Sequence, residues 1–322
     1  MNLIPTLKNI KDAILRARSA LVACHVDPDP DTIGSMIAMA LALKAKGIKT
    51  VMYSSDDIPE TYRFLPHTAE IMRGLDPKAR FDIAVALDAG DIRRVGSGLN
   101  IKQMAKTMIN IDHHTDNTLF GDINLVRGVS SSAELVYALC KYLKVRITKD
   151  MAISLYTAIM TDTGCFRYEN TTADTFMIAA ELLKLGVIPN EIATKIYETK
   201  PIASLKVLAL ALQRIRVDAG GKIVWTSVTR DMVKSARAQK EELPGIVDHL
   251  RSIKGSEIAI LFREEKGGII KVNLRSRRSV NVQKIARLLG GGGHPRAAGI
   301  TIAGKLRQVE SKVLQVVRNH VK

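Results

Sequence analysis

The residues best suited to chemistry are aspartates and histidines in four short segments. The first, HVDPDPDTIGS (25–35), has three aspartates within five residues, which repel one another unless a cation lies among them. The other three segments are ALDAGD (86–91), with Asp88 at the end of an apolar run, INIDHH (109–114), with an Asp-His-His triplet, and MTDTGCF (160–166), with Asp162. Carboxylates combined with imidazoles suit Mn²⁺, Mg²⁺, Fe²⁺ or Zn²⁺ better than Ca²⁺. The four segments therefore hold candidate metal ligands.

Each segment also has a purely structural explanation. A solvated Asp-Pro turn could end with Asp31 or Thr32 capping the next helix, and Asp88 and Asp162 could each form a turn. In the first segment, His25 and Gly34 favour a ligand loop instead, because an alternating extended loop places His25, Asp29 and Asp31 within reach of a shared centre and Gly34 permits the tight passage into the helix. Together, however, the segments supply ligands for two divalent ions about 3.5–4 Å apart that share one carboxylate. Such a pair activates a water and clamps the attacking and leaving oxygens of a phosphoryl group. The sequence has no HExxH, Walker A or GxGxxG motif, so zinc peptidase, P-loop and dinucleotide chemistry lose their main support.

These segments must be positioned by buried strands and helices. Between residues 5 and 190, apolar runs predict strands at 20–25, 48–53, 81–88 and 107–112, and helical periodicity predicts helices near 5–18, 33–46, 131–143, 150–161, 172–185 and 189–198. This alternation is typical of an α/β, doubly wound, mostly parallel sheet covered on both sides. Ligands of such sheets gather at the carboxyl ends of strands. We therefore expect residues 1–190 to form a metal-binding domain.

The rest of the chain differs in charge. A helical linker is predicted over 191–215, followed by a smaller α/β domain over 216–322 with strands at 222–226, 256–262 and 268–274 and helices near 229–238, 281–289 and 306–319. The chain has 48 basic and 32 acidic residues, a net charge of +16; residues 1–199 hold 23 of each, and residues 200–322 hold 25 basic and 9 acidic. This excess suggests a nucleic-acid or nucleotide partner. Aromatics make up 4% of the chain, so a rich stacking surface for long single strands is not expected.

The composition also indicates the cellular compartment of the protein. Cys24, Cys140 and Cys165 form neither a CxxC pair nor a disulfide framework, which favours a reducing compartment. The amino-terminal segment lacks the pattern of a secretion signal, and no apolar run approaches the roughly 18–20 residues of a membrane span. With 46% hydrophobic and 25% charged residues, collagen-like and wholly disordered chains are excluded. We expect a cytoplasmic protein without membrane attachment.

The motifs resemble those of one known superfamily. HxxPDxDxxGS at 25–35, Asp88, the DHH triplet at 112–114 and TDTG at 161–164 resemble the four motifs of the DHH phosphoesterases. GGGHPRAAG at 291–299 is similar to the GGGHxxAAG signature of the DHH-associated carboxy-terminal domain, DHHA1. Chain size, the short linker and IDHH…SSSAELV are most similar to the nanoRNase/pAp phosphatase branch, the bifunctional oligoribonucleases. That branch is related to enzymes that cleave the linear pApA formed from cyclic di-AMP.

The resemblance implies a role for each matching residue. The implied metal ligands are His25 and Asp29 for one ion, Asp31, His113 and Asp162 for the other, and Asp88 between them. The implied catalytic residues are Asp88, His114, which faces the scissile phosphate, and Asp112, which orients its neighbours. In the second domain, glycines let backbone N–H groups approach an anion beside cationic side chains. The implied substrate-binding residues are Arg275, Ser276, Gly292, Gly293, His294 and Arg296.

The resemblance therefore implies a two-metal phosphodiesterase or phosphatase. Mn²⁺ is the expected ion, with Mg²⁺ an alternative, and the expected substrates are short RNA or DNA oligonucleotides (nanoRNA, pApA) or the bisphosphate pAp, cleaved to 5′-mononucleotides. Family members commonly form homodimers. One alternative is a RecJ-like single-strand-specific exonuclease, which the +16 charge favours although such relatives are usually longer. Another is a non-catalytic nucleic-acid-binding protein whose acidic cluster is structural.

Overall fold

The computed structural model describes residues 3–96, 99–238, 245–277 and 280–321. The chain divides into two compact units, Met1–Glu198 and Thr199–Lys322. Within the described residues, no helix combines the length and the apolar character that a membrane crossing requires. Each unit combines a β-sheet with α-helices, which confirms the predicted α/β class.

The first unit contains a parallel sheet of five strands in the order β2-β1-β3-β4-β5. Its strands are β1 (Ser19–Ala23), β2 (Lys49–Tyr53), β3 (Phe81–Leu87), β4 (Ala105–Asp112) and β5 (Ile123–Val126). Its helices are α1 (Ile4–Arg16), α2 (Pro30–Ala45), α3 (Ser132–Tyr142), α4 (Lys149–Asp162), α5 (Ala173–Lys184) and α6 (Pro189–Ala193), the last followed by a π-helical turn, Thr194–Glu198.

Both faces of this sheet are buried. Along β3, Ile83 and Val85 enter a core shared with the helices, whereas Ala84 and Ala86 enter a second core on the opposite face. Such alternation follows from the two-residue period of a strand. The second core includes side chains of the 3₁₀ turn Ile101–Met104, so turns rather than α-helices contribute to the cover on that face.

The strand order determines where polar side chains gather. In a 2-1-3-4-5 sheet the winding direction reverses between β1 and β3, and a crevice opens there beyond the carboxyl ends of the strands. His25 follows β1 and Asp88 follows β3, so both lie at this reversal. Asp112 ends the neighbouring strand β4. The sheet therefore brings together segments that are far apart in the sequence.

The helix that follows the first aspartate-rich segment begins earlier than predicted. Asp29 is its N-cap and accepts from the backbone N–H of Thr32 at 3.1 Å, so the structural alternative in which Asp31 or Thr32 caps this helix does not hold. Gly34 lies inside α2 rather than at its entrance. A Cβ there would approach the carbonyl oxygen of Ser154 in α4 to 2.3 Å. Glycine is thus required for close packing of α2 against α4, and the predicted reason, a tight passage, is wrong.

The second unit contains a mixed sheet of six strands in the order β10-β11-β9-β8-β7-β6, in which only the described pair β7–β8 is parallel. Its strands are β6 (Arg216–Asp218), β7 (Ile223–Val228), β8 (Ile258–Glu264), β9 (Ile269–Ser276), β10 (Gly292–His294) and β11 (Ala297–Ala303). Its helices are α7 (Ile202–Leu212), α8 (Arg230–Ser235), α9 (Ile246–Arg251), α10 (Val282–Leu288) and α11 (Leu306–Arg318).

Two cores cover the two faces of the second sheet. One core includes residues of α10 and α11, and the other includes residues of α7, α8 and α9. The glycine-rich run is part of this folded unit, because β10 and β11 form an antiparallel hairpin. At Gly293, where φ is 132°, a Cβ would lie 2.5 Å from the carbonyl oxygen of Ala297. Glycine at this position lets the two hairpin strands approach each other.

Candidate active site

Asp88 lies at the centre of the polar side chains beyond the parallel strands. The residue is 2% exposed, and its φ of 57° turns the chain sharply after β3. Its Oδ2 lies 3.4 Å from Nε2 of His25, and its Oδ1 lies 3.3 Å from Nε2 of His113. One carboxylate thus faces two imidazoles with two different oxygens, as a carboxylate shared by two ions would.

His25 and Asp29 form a group on one side of Asp88. The Nδ1–H of His25 donates to the carbonyl oxygen of Val26 at 2.7 Å, a bond that directs Nε2 towards the carboxylates. This Nε2 lies 3.8 Å from Oδ1 of Asp29. The ligand atoms of His25, Asp29 and Asp88 all lie within 4.8 Å of one another.

Asp31, His113 and Asp162 form a second group on the other side. His113 donates from Nδ1 to the carbonyl oxygen of Val129 at 3.1 Å, so its Nε2 also faces carboxylates. That Nε2 lies 3.7 Å from Oδ2 of Asp31 and 3.6 Å from Oδ2 of Asp162. Asp162 is the last residue of α4, and Asp31 lies in the first turn of α2. Two neighbouring helices therefore each contribute one carboxylate.

The spacing and chemistry of these donors fit two divalent cations. Oxygen and imidazole ligands lie about 2.0–2.2 Å from such an ion, which places two ligands of one ion about 3–4 Å apart. The separations between imidazole nitrogens and carboxylate oxygens run from 3.3 to 3.8 Å. Each group offers both nitrogen and oxygen donors, a combination suited to Mn²⁺, Fe²⁺ or Zn²⁺.

Burial and neighbouring charges shift the acidities of these groups strongly. Burial raises the pKa of Asp31 well above its usual range and that of Asp162 to about 7. Burial alone would lower the pKa of His113, but the carboxylates of Asp162, Asp88 and Asp31 raise it well above its usual value. Burial would raise the pKa of Asp88, but hydrogen bonds from His113 and His25 hold it well below its usual range. The cluster thus retains protons that a bound cation would displace.

Asp112 connects His114 to an amide network. Nδ1–H of His114 donates to Oδ1 of Asp112 at 2.7 Å, and Nδ2 of Asn117 donates to the other oxygen at 2.6 Å. The amide of Asn110 in turn donates to Oδ1 of Asn117 at 3.2 Å. Burial alone would lower the pKa of His114, but its hydrogen bond to Asp112 raises that pKa. Asp112 therefore fixes the orientation of His114 and the position of one ring proton.

The beginning of α3 holds two of the carboxylates. The backbone N–H groups of Ser132 and Ala133 donate to Asp31 at 2.7 and 3.1 Å, and the hydroxyl of Ser132 donates to Oδ1 of Asp88 at 2.9 Å. The positive end of a helix favours a carboxylate at this place. The supporting roles of Ser132 and Asn117 were not predicted from the sequence. The run SSSAELV, where serines precede a helix, was the available signal for the first.

In the second unit, strand register brings predicted substrate-binding residues together. Arg275 of β9 pairs with Ala297 of β11, which pairs with His294 of β10. Residues paired directly across neighbouring strands project to the same face of a sheet, so Arg275 and His294 share one face. A Cβ at Gly292 would meet no atom within 4 Å, so the space beside this backbone is open.

Ser276 differs from its predicted role. It lies on the core face of β9, is 2% exposed, and donates its hydroxyl to the carbonyl oxygen of Val280 at 2.6 Å. Its side chain therefore supports the fold here rather than presenting a hydroxyl to a phosphate. Arg296 donates from Nη1 to the same carbonyl at 2.9 Å.

Two protein-family models and a curated relative match this chain. The model of the DHH family, N-terminal domain, matches residues 19–159, and that of the DHHA1 domain matches residues 220–321. The bifunctional oligoribonuclease and PAP phosphatase NrnA of Thermus thermophilus is 35% identical over 302 residues, which cover 93% of this chain and 89% of that protein.

Solved structures share the same architecture. An exopolyphosphatase-related protein from Bacteroides fragilis matches with a TM-score of 0.90 and 25% identity, over 98% of this chain and 96% of that chain. RecJ from Thermus thermophilus, solved in complex with Mn²⁺, matches with a TM-score of 0.52 and 13% identity, over 98% of this chain and 55% of RecJ. At this identity the likeness to RecJ concerns the fold alone.

Proposed function

The chain belongs to the DHH phosphoesterase family, and we propose that it hydrolyses short oligonucleotides and the bisphosphate pAp to mononucleotides. The observation that carries this proposal is the carboxylate of Asp88, which faces His25 with one oxygen and His113 with the other. The NrnA relative, named as an oligoribonuclease and PAP phosphatase, supports the choice of substrates.

We propose His25, Asp29, Asp31, Asp88, His113 and Asp162 as the ligands of two divalent cations. Mn²⁺ is the proposed ion because the family resemblance implies it; the mixed imidazole and carboxylate donors suit Mn²⁺ as they suit Fe²⁺ and Zn²⁺. The cations would supply charge neutralisation at the phosphoryl oxygens and would lower the pKa of a water. These six side chains would hold the two cations in place, because their donor atoms already lie about 3–4 Å apart.

His114 is proposed to contact the scissile phosphate. Its Nδ1–H is committed to Asp112 at 2.7 Å, which fixes the ring against rotation. The hydrogen bond to Asp112 also raises the pKa of the imidazole, and this favours a proton on Nε2 as well. A protonated Nε2 can donate to a phosphoryl oxygen as negative charge develops there.

The second unit is proposed to bind the remaining phosphates and sugars of the substrate. Arg275 and His294 would contact the phosphates with their side chains. The backbone of Gly292 and Gly293 and the side chain of Arg296 would lie beside them. Phosphate contacts carry little sequence information, which suits an enzyme that degrades oligonucleotides of any sequence. A homodimer and a cytoplasmic location belong to the same proposal and stay predictions.

A hydrolysis panel tests this proposal. With Mn²⁺ present, we expect release of mononucleotides from pAp, pApA and RNA of two to five nucleotides, and slow cleavage of long single-stranded DNA. Asp88→Asn, which keeps the side-chain shape but removes the charge, should abolish hydrolysis of every substrate. Preferred cleavage of long DNA would favour the exonuclease alternative, and tight RNA binding without hydrolysis by the unaltered protein would overturn the proposed enzyme.

A further inference from the structure

Arg94 is held beside His25 by backbone contacts. It ends the 3₁₀ turn Ile92–Arg94, and its carbonyl oxygen accepts from the backbone N–H of Val26 at 2.8 Å. The next residue, Val95, forms a β-bridge with His25. Both contacts use backbone atoms, so they persist when the side chain of Arg94 is replaced. The turn is therefore held in place without the guanidinium.

The guanidinium of Arg94 lies against the imidazole of His25. Its Nη2 is 3.5 Å from Nδ1 of that ring, and Nε2 of the same ring is 3.4 Å from Oδ2 of Asp88. The width of one imidazole ring thus separates the guanidinium from the proposed metal ligands. This arginine is therefore close to the place where the cations would hold a phosphoryl group.

Within the described part of the chain, no carboxylate lies at ion-pair distance from Arg94. Its contact with Nδ1 of His25 supplies no acceptor, because that nitrogen donates its own proton to the carbonyl oxygen of Val26 at 2.7 Å. Asp91, at the start of the same turn, accepts from Arg93 with both carboxylate oxygens, at 2.9 and 2.7 Å. The donors of Arg94 thus lack an anionic acceptor among the described residues.

The charges around this arginine indicate that an anion binds there. Arg94 is half-buried, and arginine side chains are seldom withdrawn from water without a partner. Four carboxylates of the proposed ligand set balance the four positive charges of two divalent cations: Asp29, Asp31, Asp88 and Asp162. The guanidinium adds one further positive charge beside them. A phosphoryl group of the substrate would neutralise that charge.

We propose that Arg94 donates hydrogen bonds to the phosphoryl group that is hydrolysed and is therefore a catalytic residue. This inference rests on the proposed function, which supplies both the cations and the substrate. A guanidinium carries five N–H donors in a planar fork, and two of them fit two oxygens of one phosphate. Water supplies the attacking oxygen, the phosphate ester bond breaks, and Arg94 forms no covalent bond to the substrate.

Arg94 and His114 would approach the phosphoryl group from different sides of Asp88. Nδ1 of His114 lies 3.6 Å from Oδ1 of Asp88, whereas His25, which Arg94 contacts, faces Oδ2. Charge on a transferred phosphoryl group is spread over its equatorial oxygens, so donors fixed at different oxygens stabilise the transition state together. The arginine therefore adds a contact that His114 cannot make.

Arg94→Met tests this contact, with Arg93→Met as the matched control. The first variant keeps an unbranched apolar stem but removes the guanidinium. The second makes the same change at a neighbouring side chain that is 86% exposed and paired with Asp91. With Mn²⁺ present, Arg94→Met should lower kcat/KM for pAp at least about tenfold, the expected loss of a charge-assisted hydrogen bond. Arg93→Met should lower it less than about twofold. Elemental analysis should find two Mn²⁺ per chain in both variants.

Binding of inorganic phosphate distinguishes this inference from the proposed function. Calorimetric titrations of the protein with and without bound Mn²⁺, in the absence of free metal, give the part of the phosphate affinity that depends on the cations. Arg94→Met should weaken this part at least about tenfold, and Arg93→Met should leave it nearly unchanged. Equal effects of the two variants would overturn the role of Arg94. Loss of Mn²⁺ from Arg94→Met would also overturn it, because the side chain would then support His25 instead of the substrate. Arg94-dependent phosphate binding by a protein that hydrolyses no nucleotide would refute only the proposed function.

Discussion

The hydroxyl of Ser132 offers a sharp test of how the carboxylate of Asp88, the proposed bridging ligand, is positioned. It donates to Oδ1 of Asp88 at 2.9 Å from a fully buried position. Ser132→Ala removes this donor but keeps the backbone N–H that donates to Asp31 at 2.7 Å. The substitution therefore affects the orientation and charge of Asp88 while the helix and its other contact are retained.

The expected effect is large for one oxygen atom. A hydrogen bond to a charged group contributes about 1.5–3 kcal/mol, and a factor of ten corresponds to about 1.4 kcal/mol. Loss of a residue that supports a metal ligand typically lowers metal affinity or activity about 10- to 100-fold. We expect Ser132→Ala to raise the Mn²⁺ concentration for half-maximal pAp hydrolysis about 10- to 100-fold, because Asp88 becomes a less well-oriented ligand.

The adjacent residue supplies the control. Ser131 is also fully buried, yet its hydroxyl has no hydrogen-bond partner among the described residues and does not cap α3. Ser131→Ala should leave the Mn²⁺ dependence nearly unchanged. The assay is pAp hydrolysis across an Mn²⁺ titration, with thermal unfolding to verify that both variants fold. If the two variants behave alike, the hydroxyl of Ser132 does not position Asp88.

Two further predictions concern a loop contact and the amide network. His67 lies between Glu70 and Asp150, and its hydrogen bonds to these two carboxylates raise the pKa of its imidazole. The contact therefore stabilises the folded protein fully below the ordinary imidazole pKa of about 6.5, and this stabilisation is lost as the pH rises through the folded-state pKa. His67→Gln should therefore lower the melting temperature at about pH 5.5 but hardly at about pH 9, and equal losses would contradict this. Asn117→Ala removes a hydrogen-bond donor to Asp112. This variant should lower kcat for pAp hydrolysis about tenfold, with little change in KM or metal content. A change in KM alone would contradict this prediction.

Much of the fold was predictable because the first sheet is buried on both faces. The strands at Ser19–Ala23 and Phe81–Leu87 are apolar except for Ser19 and Asp82 near their beginnings, and such largely apolar runs are typical of parallel sheets. The edge strand Ile123–Val126 was missed because it has four residues, of which one is polar. Arg216–Asp218 was missed for a similar reason, since a charged three-residue edge strand has no apolar pattern.

The grouping of the candidate site residues was predictable from the sequence, whereas the residues that support them were not. Motif spacing and strand ends placed Asp88 beside the histidines, because the carboxyl ends of parallel strands meet at one edge. The contacts of Ser132 and Asn117 depend on side-chain directions that periodicity does not specify. Ser276 was misplaced because its neighbour Arg275 is on the outer face, and successive strand residues point to opposite faces.

The central claim is that Asp88 bridges two cations, and anomalous diffraction at the manganese edge tests it most directly. Crystals of the protein grown with Mn²⁺ should show two peaks on either side of the Asp88 carboxylate. We expect one peak beside His25 and Asp29 and the other beside His113. A single peak, or two peaks that do not share Asp88, would contradict the account.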